Sequence, residues 1–305
     1  MDKPLDSSIK RRAVVSLSFA LVSAYLSRAA QLHLSKSPGG DFLWAMRAGA
    51  ELLRGKDPYA HSFGPYSIPY PLPAAFVGLP FSLFDPATGA GLFFGVSVGL
   101  LTYGLMVHHQ TRLLIFISLP FWFALVWAQW SPLAMAAAFF PLLMPVVLIK
   151  PQIALPVAIT HRTRLGIYLC IGVLLVSLVL YPTWPVVWIS QIGSYQRFYP
   201  WTTALGPLLF LALLDWRNRD AQLFLIASLL PQRHFYDAFI LWLIPKTWKE
   251  IGAMSVISWG AYIWKLNHPS MSPTEVGTVS VVFFFLPALG VILFRKYPVR
   301  RIRPD

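Results

Sequence analysis

The chain has 305 residues, of which 56% are hydrophobic and only 12% charged, with a formal net charge of +13. Soluble domains carry about a quarter charged residues, so a water-soluble globule is excluded, and the single cysteine, Cys170, excludes a disulfide framework and a thiolate metal site. The alternating strands of an outer-membrane barrel do not appear, which leaves an all-α, polytopic transmembrane helix bundle forming a single integral membrane unit over residues 1–305.

In chain order, Lys3, Lys10, Arg11 and Arg12 precede an apolar run from about Ala13 to Leu34. Ser27-Arg28-Ala29 inside it has the form of a signal-peptidase site. The segment that follows reads as part of the membrane unit, so the first span is expected to be retained. Further apolar segments lie at about 69–84, 88–107, 113–129, 131–149, 151–160, 165–184, 203–215, 221–231, 235–245, 251–265 and 277–294. They predict about ten to twelve spans, and those near ten residues are too short to cross alone, so they are expected as broken or re-entrant pieces. Charged residues are absent from Leu113 to Ile149 and from Leu165 to Gln196.

The remaining basic clusters stand between apolar runs: Arg162 with Arg164, Arg217 with Arg219, Lys246 with Lys249, and Arg295, Lys296, Arg300, Arg301 and Arg303. The positive-inside rule puts them, and both termini, in the cytoplasm of a plasma (inner) membrane protein. His108 to Arg112 falls on the outside by the same count, although its charge suits the inside. Basic residues scattered in this way, rather than gathered on one face with stacking aromatics, argue against nucleic acid as a partner and for membrane lipids.

Two loops are expected on the exoplasmic side, about 35–70 and 185–202. In the first, Ser37-Pro38-Gly39-Gly40 ends the first helix and Asp41 stands at a helix N-cap position. Phe42, Met46, Gly49 and Leu53 recur on one side of a short amphipathic helix, and Arg47, Glu51 and Arg54 on the other, until Gly55 and Pro58 stop it. Asp57-Pro58-Tyr59, Gly64-Pro65-Tyr66 and Tyr70-Pro71-Leu72-Pro73 then predict a rigid, irregular, aromatic surface. It suits a binding site or an aromatic belt at headgroup level.

Several residues carry candidate chemistry. Asp41 is a helix cap, a general base, or both. Lys150, Arg233 and His234 fall near exoplasmic span ends, where ionisable groups line a site or snorkel to the headgroups. Pro231-Gln232-Arg233-His234-Phe235-Tyr236-Asp237 gathers cationic, acidic and aromatic side chains at a break between short apolar helices, a pattern fit to hold a phosphate and stack on a sugar, or to form a polar hairpin. Arg197 stands in the second loop, open to lipid headgroups or a donor phosphate. Gln129 and Cys170 lie in apolar runs, where helix packing is the default. His108 and His109 are adjacent and make a poor metal pair. There is no phosphate-binding loop, HExxH or dinucleotide fingerprint, and Asp41, Glu51, Asp57, Asp237 and Glu275 have no spacing that gathers them, so neither metal nor cofactor is expected.

Asp41-Phe42 through Ala48, Leu52-Leu53-Arg54-Gly55, Asp57-Pro58-Tyr59, Tyr70-Pro71-Leu72-Pro73-Ala74 and Leu79-Pro80 together resemble the opening of glycosyltransferase family 87. That family belongs to the GT-C superfamily of polyprenyl-phosphate-sugar-dependent membrane mannosyltransferases. Ala128-Gln129-Trp130-Ser131-Pro132-Leu133 is similar to the family's Gly-Gln stretch, Ile149-Lys150-Pro151 to its Lys-Pro, and Arg233-His234 to its late Trp-x-His segment, over roughly residues 10–250. Ala128 stands where the family has glycine, Leu72 separates Pro71 from Pro73, and no Trp precedes His234.

The resemblance implies a GT-C-like bundle and an inverting transfer of a hexose, mannose by the family, from a polyprenyl-phosphate carrier to a lipid or glycan acceptor. Asp41 would be the exoplasmic general base. Lys150, Arg233 and His234 are the cations on the same side for the donor phosphate, and Arg47, Tyr59, Tyr70, Arg197, Tyr236 and Asp237 are further donor or acceptor contacts. The rival reading from another class is a transporter or flippase of a lipid-linked sugar, although no internal repeat of the kind common in transporters is visible.

Overall fold

The computed structural model describes residues 7–34, 38–60, 69–108, 110–191 and 197–297. The expected features at Ser35, Gly64-Pro65-Tyr66, His109, Ser194-Tyr195-Gln196 and the terminal basic residues Lys3, Arg300, Arg301 and Arg303 lie outside them. Among the described residues the regular structure is helical apart from one isolated antiparallel bridge between Phe198 and Gln232. The helices are α1 (Ser7–His33), α2 (Leu43–Leu53), α3 (Pro73–Gly78), α4 (Pro86–His108), α5 (Leu119–Val126), α6 (Ser131–Ala136) and α7 (Pro151–Thr160). They continue as α8 (Arg164–Leu180), α9 (Trp184–Gln191), α10 (Arg219–Leu229), α11 (Trp248–Ser258) and α12 (Gly260–Asn267). A last rod joins α13 (Pro273–Ser280), a π turn at Val281–Phe285 and α14 (Leu286–Lys296). Segments of 3-10 helix fill Gln110–Ile117, Pro141–Leu148, Gly206–Asp215 and Phe235–Leu243.

Three helical stretches, α1, α4 and the α13–α14 rod, are long and apolar enough to cross a membrane, and a fourth if α8 and α9, bent by 93°, count as one. Elsewhere the apolar runs are cut. The run 131–149 breaks at Phe140, extended at φ −126° and ψ 104° ahead of Pro141, because a residue before proline is pushed out of the helical region. The run 113–129 breaks at Ser118, also extended (ψ 148°), just before Leu119-Pro120.

Helices α1 and α4 pack antiparallel. A side chain built on Gly95 of α4 would put its Cβ 2.5 Å from the Ala20 carbonyl and 2.6 Å from Ala24 Cβ, and one on Gly91 would lie 2.7 Å from the Ala24 carbonyl. The bare backbone at Gly91, Gly95 and Gly99 therefore lets the two helices touch, the small-residue seam that drives helix association where lipid removes the hydrophobic incentive. Arg28 Nε donates to Thr88 Oγ1 at 2.9 Å near one end of this pair.

This pairing corrects the expected span at 69–84. Its first residues meet the end of α1, where Tyr70 bonds Asp41, and its last lead into α4, whose Thr88 bonds Arg28. The segment begins and ends on the same side and does not cross. It forms only α3 and a 3-10 turn at Leu79–Phe81, since Pro80 supplies no N–H to extend the helix. With that span removed, Arg112 falls at the end of the bundle opposite Asp41, where its Nη2 donates to the Leu243 carbonyl at 3.2 Å.

Helix α2 departs from its expected faces. Glu51 is buried at 8% exposure while Leu53 is 61% exposed. Rather than lying free on a surface, α2 packs against α3, where Gly49 and Gly78 leave room for the opposing backbone at Ala75 and Ala45.

The charged residues segregate to two ends. At one end Arg295 bridges Asp220 at 2.9 Å and Glu250, Lys246 bonds Asp220 at 2.9 Å, and the Thr247–Glu250 capping box starts α11. At the other end lie Asp41, Lys150, Arg233 and Asp237. The 11 residues of α10 run between the two ends, from Arg219 to just short of Arg233, a rise of about 16 Å.

Candidate functional site

The site begins with Gln31, fully buried near the end of α1. Its Oε1 accepts from the Gly39 N–H at 3.0 Å, and its Nε2 donates to the Val126 carbonyl. Gly39 and Gly40 take φ of 107° and 53°, and a Cβ on Gly40 would lie 2.5 Å from the Trp127 carbonyl oxygen. Only glycine allows that approach in that conformation. The Asp41 N–H then donates to the Trp127 carbonyl at 3.0 Å. Ala128, next to this junction and fully buried, is held at φ 47°, the one non-glycine positive φ among the described residues.

Asp41 is not an N-cap. The turn Gly40–Phe42 is capped by Gly39 and α2 by Phe42, neither through a side-chain bond. The positive φ of the two glycines starts the turn early and leaves the Asp41 carboxylate to point elsewhere. Its Oδ2 accepts from Tyr70 Oη at 3.3 Å, faces Arg233 Nη1 at 3.5 Å and lies 3.8 Å from Lys150 Nζ. Burial pushes its pKa up, but the charges of Arg233 and Lys150 and hydrogen bonding from Gln129 and Tyr70 outweigh burial and hold it below the ordinary carboxylate value. Asp41 is ionised at neutral pH.

Lys150, the N-cap residue of α7, is 1% exposed. Snorkelling is ruled out by where its ammonium goes: it donates to Gln129 Oε1 at 2.6 Å, lies 3.4 Å from Asp237 Oδ1 and sits 5.0 Å from the Tyr236 ring centroid. Asp237 is fully buried, and its Oδ2 accepts the Arg233 N–H at 2.8 Å. Two carboxylates and two cations thus share one cluster whose formal charges cancel.

Tyr59 is one step behind: its hydroxyl donates to the Tyr70 carbonyl at 2.8 Å and its ring leans on Trp44. Burial, then the nearby charge of Asp57, raises the Tyr59 pKa, so it stays a donor. Tyr181, at the α8–α9 bend, donates to Asp57 at 2.6 Å. His234 stacks between Phe123, centroid distance 5.2 Å, and Tyr236, 5.5 Å. Burial, with Lys265 and Arg233 nearby, pushes its pKa down to about 3, so it is neutral at pH 7. Arg47 is exposed on α2 and shows no contact with the cluster among the described residues.

A cavity of about 230 Å³ opens beside the cluster, lined by Tyr70, Arg233, Arg197, Gln152, Trp188 and Ile149 among others. A second, apolar groove of about 290 Å³ runs between α3, α4, α6 and α8 and shares Ile149 with it.

The chain therefore brings together Asp41, Lys150, Arg233, Tyr70, Tyr236 and Asp237 from the sequence reading, places Arg197 on the adjoining cavity and leaves Arg47 outside. Sequence reasoning missed the part of two amides. Gln129, assigned to packing, holds Lys150, and Gln31 staples the Asp41 turn. The available signal was an amide in an otherwise apolar run, which costs free energy unless it is bonded. Among the described residues no group of three His, Cys, Asp or Glu side chains comes together as a metal site.

No family model, curated protein or solved structure matches the chain. The family resemblance accordingly rests on the residues quoted for it.

Proposed function

We propose that the protein is a membrane glycosyltransferase that moves a hexose, mannose by the resemblance, from a polyprenyl-phosphate carrier to a lipid or glycan hydroxyl. The observation that carries this reading is the partly buried Asp41 carboxylate, ionised and freed from any capping role, held against Tyr70 and Arg233, which line the cavity, and close to Lys150. In the reaction, the acceptor oxygen forms a bond to the anomeric carbon as its proton passes to Asp41. The bond from that carbon to the phosphate oxygen breaks on the opposite face, its electron pair leaving with the polyprenyl phosphate, so the configuration inverts. A positioned base accounts for about a hundredfold or more of such a rate, and cations at the departing phosphate supply the larger electrostatic share.

Two further features support the reading. The apolar groove adjoins the polar cavity at Ile149, which lines both, so a lipid chain and its phosphate would have neighbouring places. The ends carrying Arg219, Lys246 and Arg295 are opposite the Asp41 end, as the positive-inside rule requires of an exoplasmic site with cytoplasmic basic ends. The shorter helices complete further crossings in this reading, as pieces buried against one another.

The test is to incubate the purified full chain with a panel of radiolabelled polyprenyl-phosphate sugars and membrane lipid extract. Label transferred to an extractable product supports the assignment. Movement of intact donor across a proteoliposome membrane without transfer would replace it with a transporter.

A further inference from the structure

The Phe198–Gln232 bridge fixes more than a loop crossing. Phe198 N donates to the Gln232 carbonyl at 2.9 Å, and Gln232 N donates to the Phe198 carbonyl at 2.8 Å. The two residues thus form the hydrogen-bonded pair of an antiparallel ladder. In that register Arg197 and Arg233 are the next cross-strand pair, with side chains on the face opposite Phe198 and Gln232. Burial follows the alternation: Phe198 and Gln232 are 6% and 1% exposed, whereas Arg197 is exposed, Arg233 is partly exposed, and both line the same cavity. Like charges directly opposite each other destabilise a strand pair. Arg197 has no carboxylate partner among the described residues, while Arg233 Nη1 faces Asp41 Oδ2 at 3.5 Å. Lys150, by contrast, is enclosed by Asp237, Gln129 and Tyr236.

We propose that Arg197 and Arg233, held opposite each other by the Phe198–Gln232 bridge, form the seat for a phosphate group, and that the incoming phosphate draws Arg233 away from Asp41. Lys150 remains with the carboxylates as a positioning residue. The proposal rests on the transferase reading only for the identity of the ligand, a lipid-linked phosphate. Breaking the sugar–phosphate bond leaves the electron pair on the phosphate oxygen and takes the group from one negative charge to two. A seat with two positive charges favours that second charge, so its binding energy is spent in the transition state. Withdrawal of Arg233 also removes a cation from Asp41, which makes the carboxylate a stronger base once donor is bound.

The experiment measures binding of farnesyl phosphate, and separately of inorganic phosphate, to the purified full chain in detergent at fixed low ionic strength. Arg197→Gln is expected to weaken farnesyl phosphate by at least about tenfold. Asp41→Asn is expected to tighten it by about threefold or more, because the Asp41 charge no longer competes with the phosphate for Arg233. Arg217→Gln, at the far end of the bundle, should leave it unchanged. Tighter binding of farnesyl phosphate than of inorganic phosphate assigns the seat to a lipid source, and equal binding assigns it to a free phosphate. Farnesyl phosphate binding to Arg197→Gln within twofold of wild type, or weaker binding by Asp41→Asn, overturns the proposal. If these shifts appear but no polyprenyl-phosphate sugar is transferred, the seat stands and the transferase reading falls. If transfer occurs and Arg197→Gln binds normally, the seat alone falls.

Discussion

Replacing Lys150 with methionine removes the cation between the fully buried Asp237 and the partly buried Asp41. Asp237 is fully buried and faces Lys150 Nζ at 3.4 Å, and Asp41 retains Arg233 at 3.5 Å. Lys150→Met therefore strands chiefly Asp237, which keeps the Arg233 N–H but loses its cation. Removing one member of a buried pair costs about 3–5 kcal/mol, because the remaining charge has lost its compensation, whereas removing both is often close to neutral. Lys150→Met alone should thus lose about 3–5 kcal/mol, and Lys150→Met with Asp237→Leu should recover to within about 1 kcal/mol of the parent. Reversible unfolding in mixed detergent micelles measures all three proteins. A single variant within about 0.5 kcal/mol of the parent would refute the idea that Lys150 is a buried counter-ion and would return it to a headgroup anchor.

Gly95→Leu should cost about 2 kcal/mol or more in the same unfolding assay, since the seam has no room for a Cβ, while Gly172→Ala, whose Cβ meets nothing within 4 Å, should be neutral or gain up to about 1 kcal/mol. Ala128→Gly should leave stability within about 1 kcal/mol of the parent, because relief of the left-handed backbone offsets the added chain entropy, whereas Ala128→Val should lose about 2 kcal/mol or more. The pH dependence follows from the Asp41 pKa, which is lower in the folded chain than the ordinary 3.8. Its charge is lost only as pH falls through the depressed folded value, so the acid limb of kcat/KM for transfer from this group should lie below that of an ordinary carboxylate. Arg233→Gln removes the charge that does most to hold the Asp41 pKa down and should shift that limb upward, and an unchanged limb would contradict the pairing.

Much of the site is legible in the sequence because ionisable side chains are rare in so apolar a chain. Asp41, Lys150, Arg233 and Asp237 cannot each be buried alone at tolerable cost, so their meeting follows from the chemistry of burial even though they are far apart in the chain. The direction of the Asp41 carboxylate was not legible. It depends on a backbone bond to Trp127 and on the handedness of Gly39 and Gly40, which spacing does not reveal. The crossings were legible only where an apolar run is free of strong breaks, as in α1 and α4. At 69–84 hydropathy is high, but both ends are held on one side of the bundle by Tyr70 and Thr88, contacts that no local pattern encodes. The pairing of Arg197 with Arg233 rests on a two-residue bridge too short to leave a strand signature.

The central claim is that Asp41 accepts the acceptor's proton. Asp41→Asn tests it most directly, because asparagine keeps the size and the hydrogen bond from Tyr70, no capping role exists to be lost, and Lys150 retains Asp237 as counter-ion. Transfer of label from the polyprenyl-phosphate sugar that the wild-type protein uses should fall by at least about a hundredfold while unfolding in micelles stays near that of the parent. Transfer by the Asn variant within a few fold of wild type would contradict the account and remove Asp41 from the chemistry.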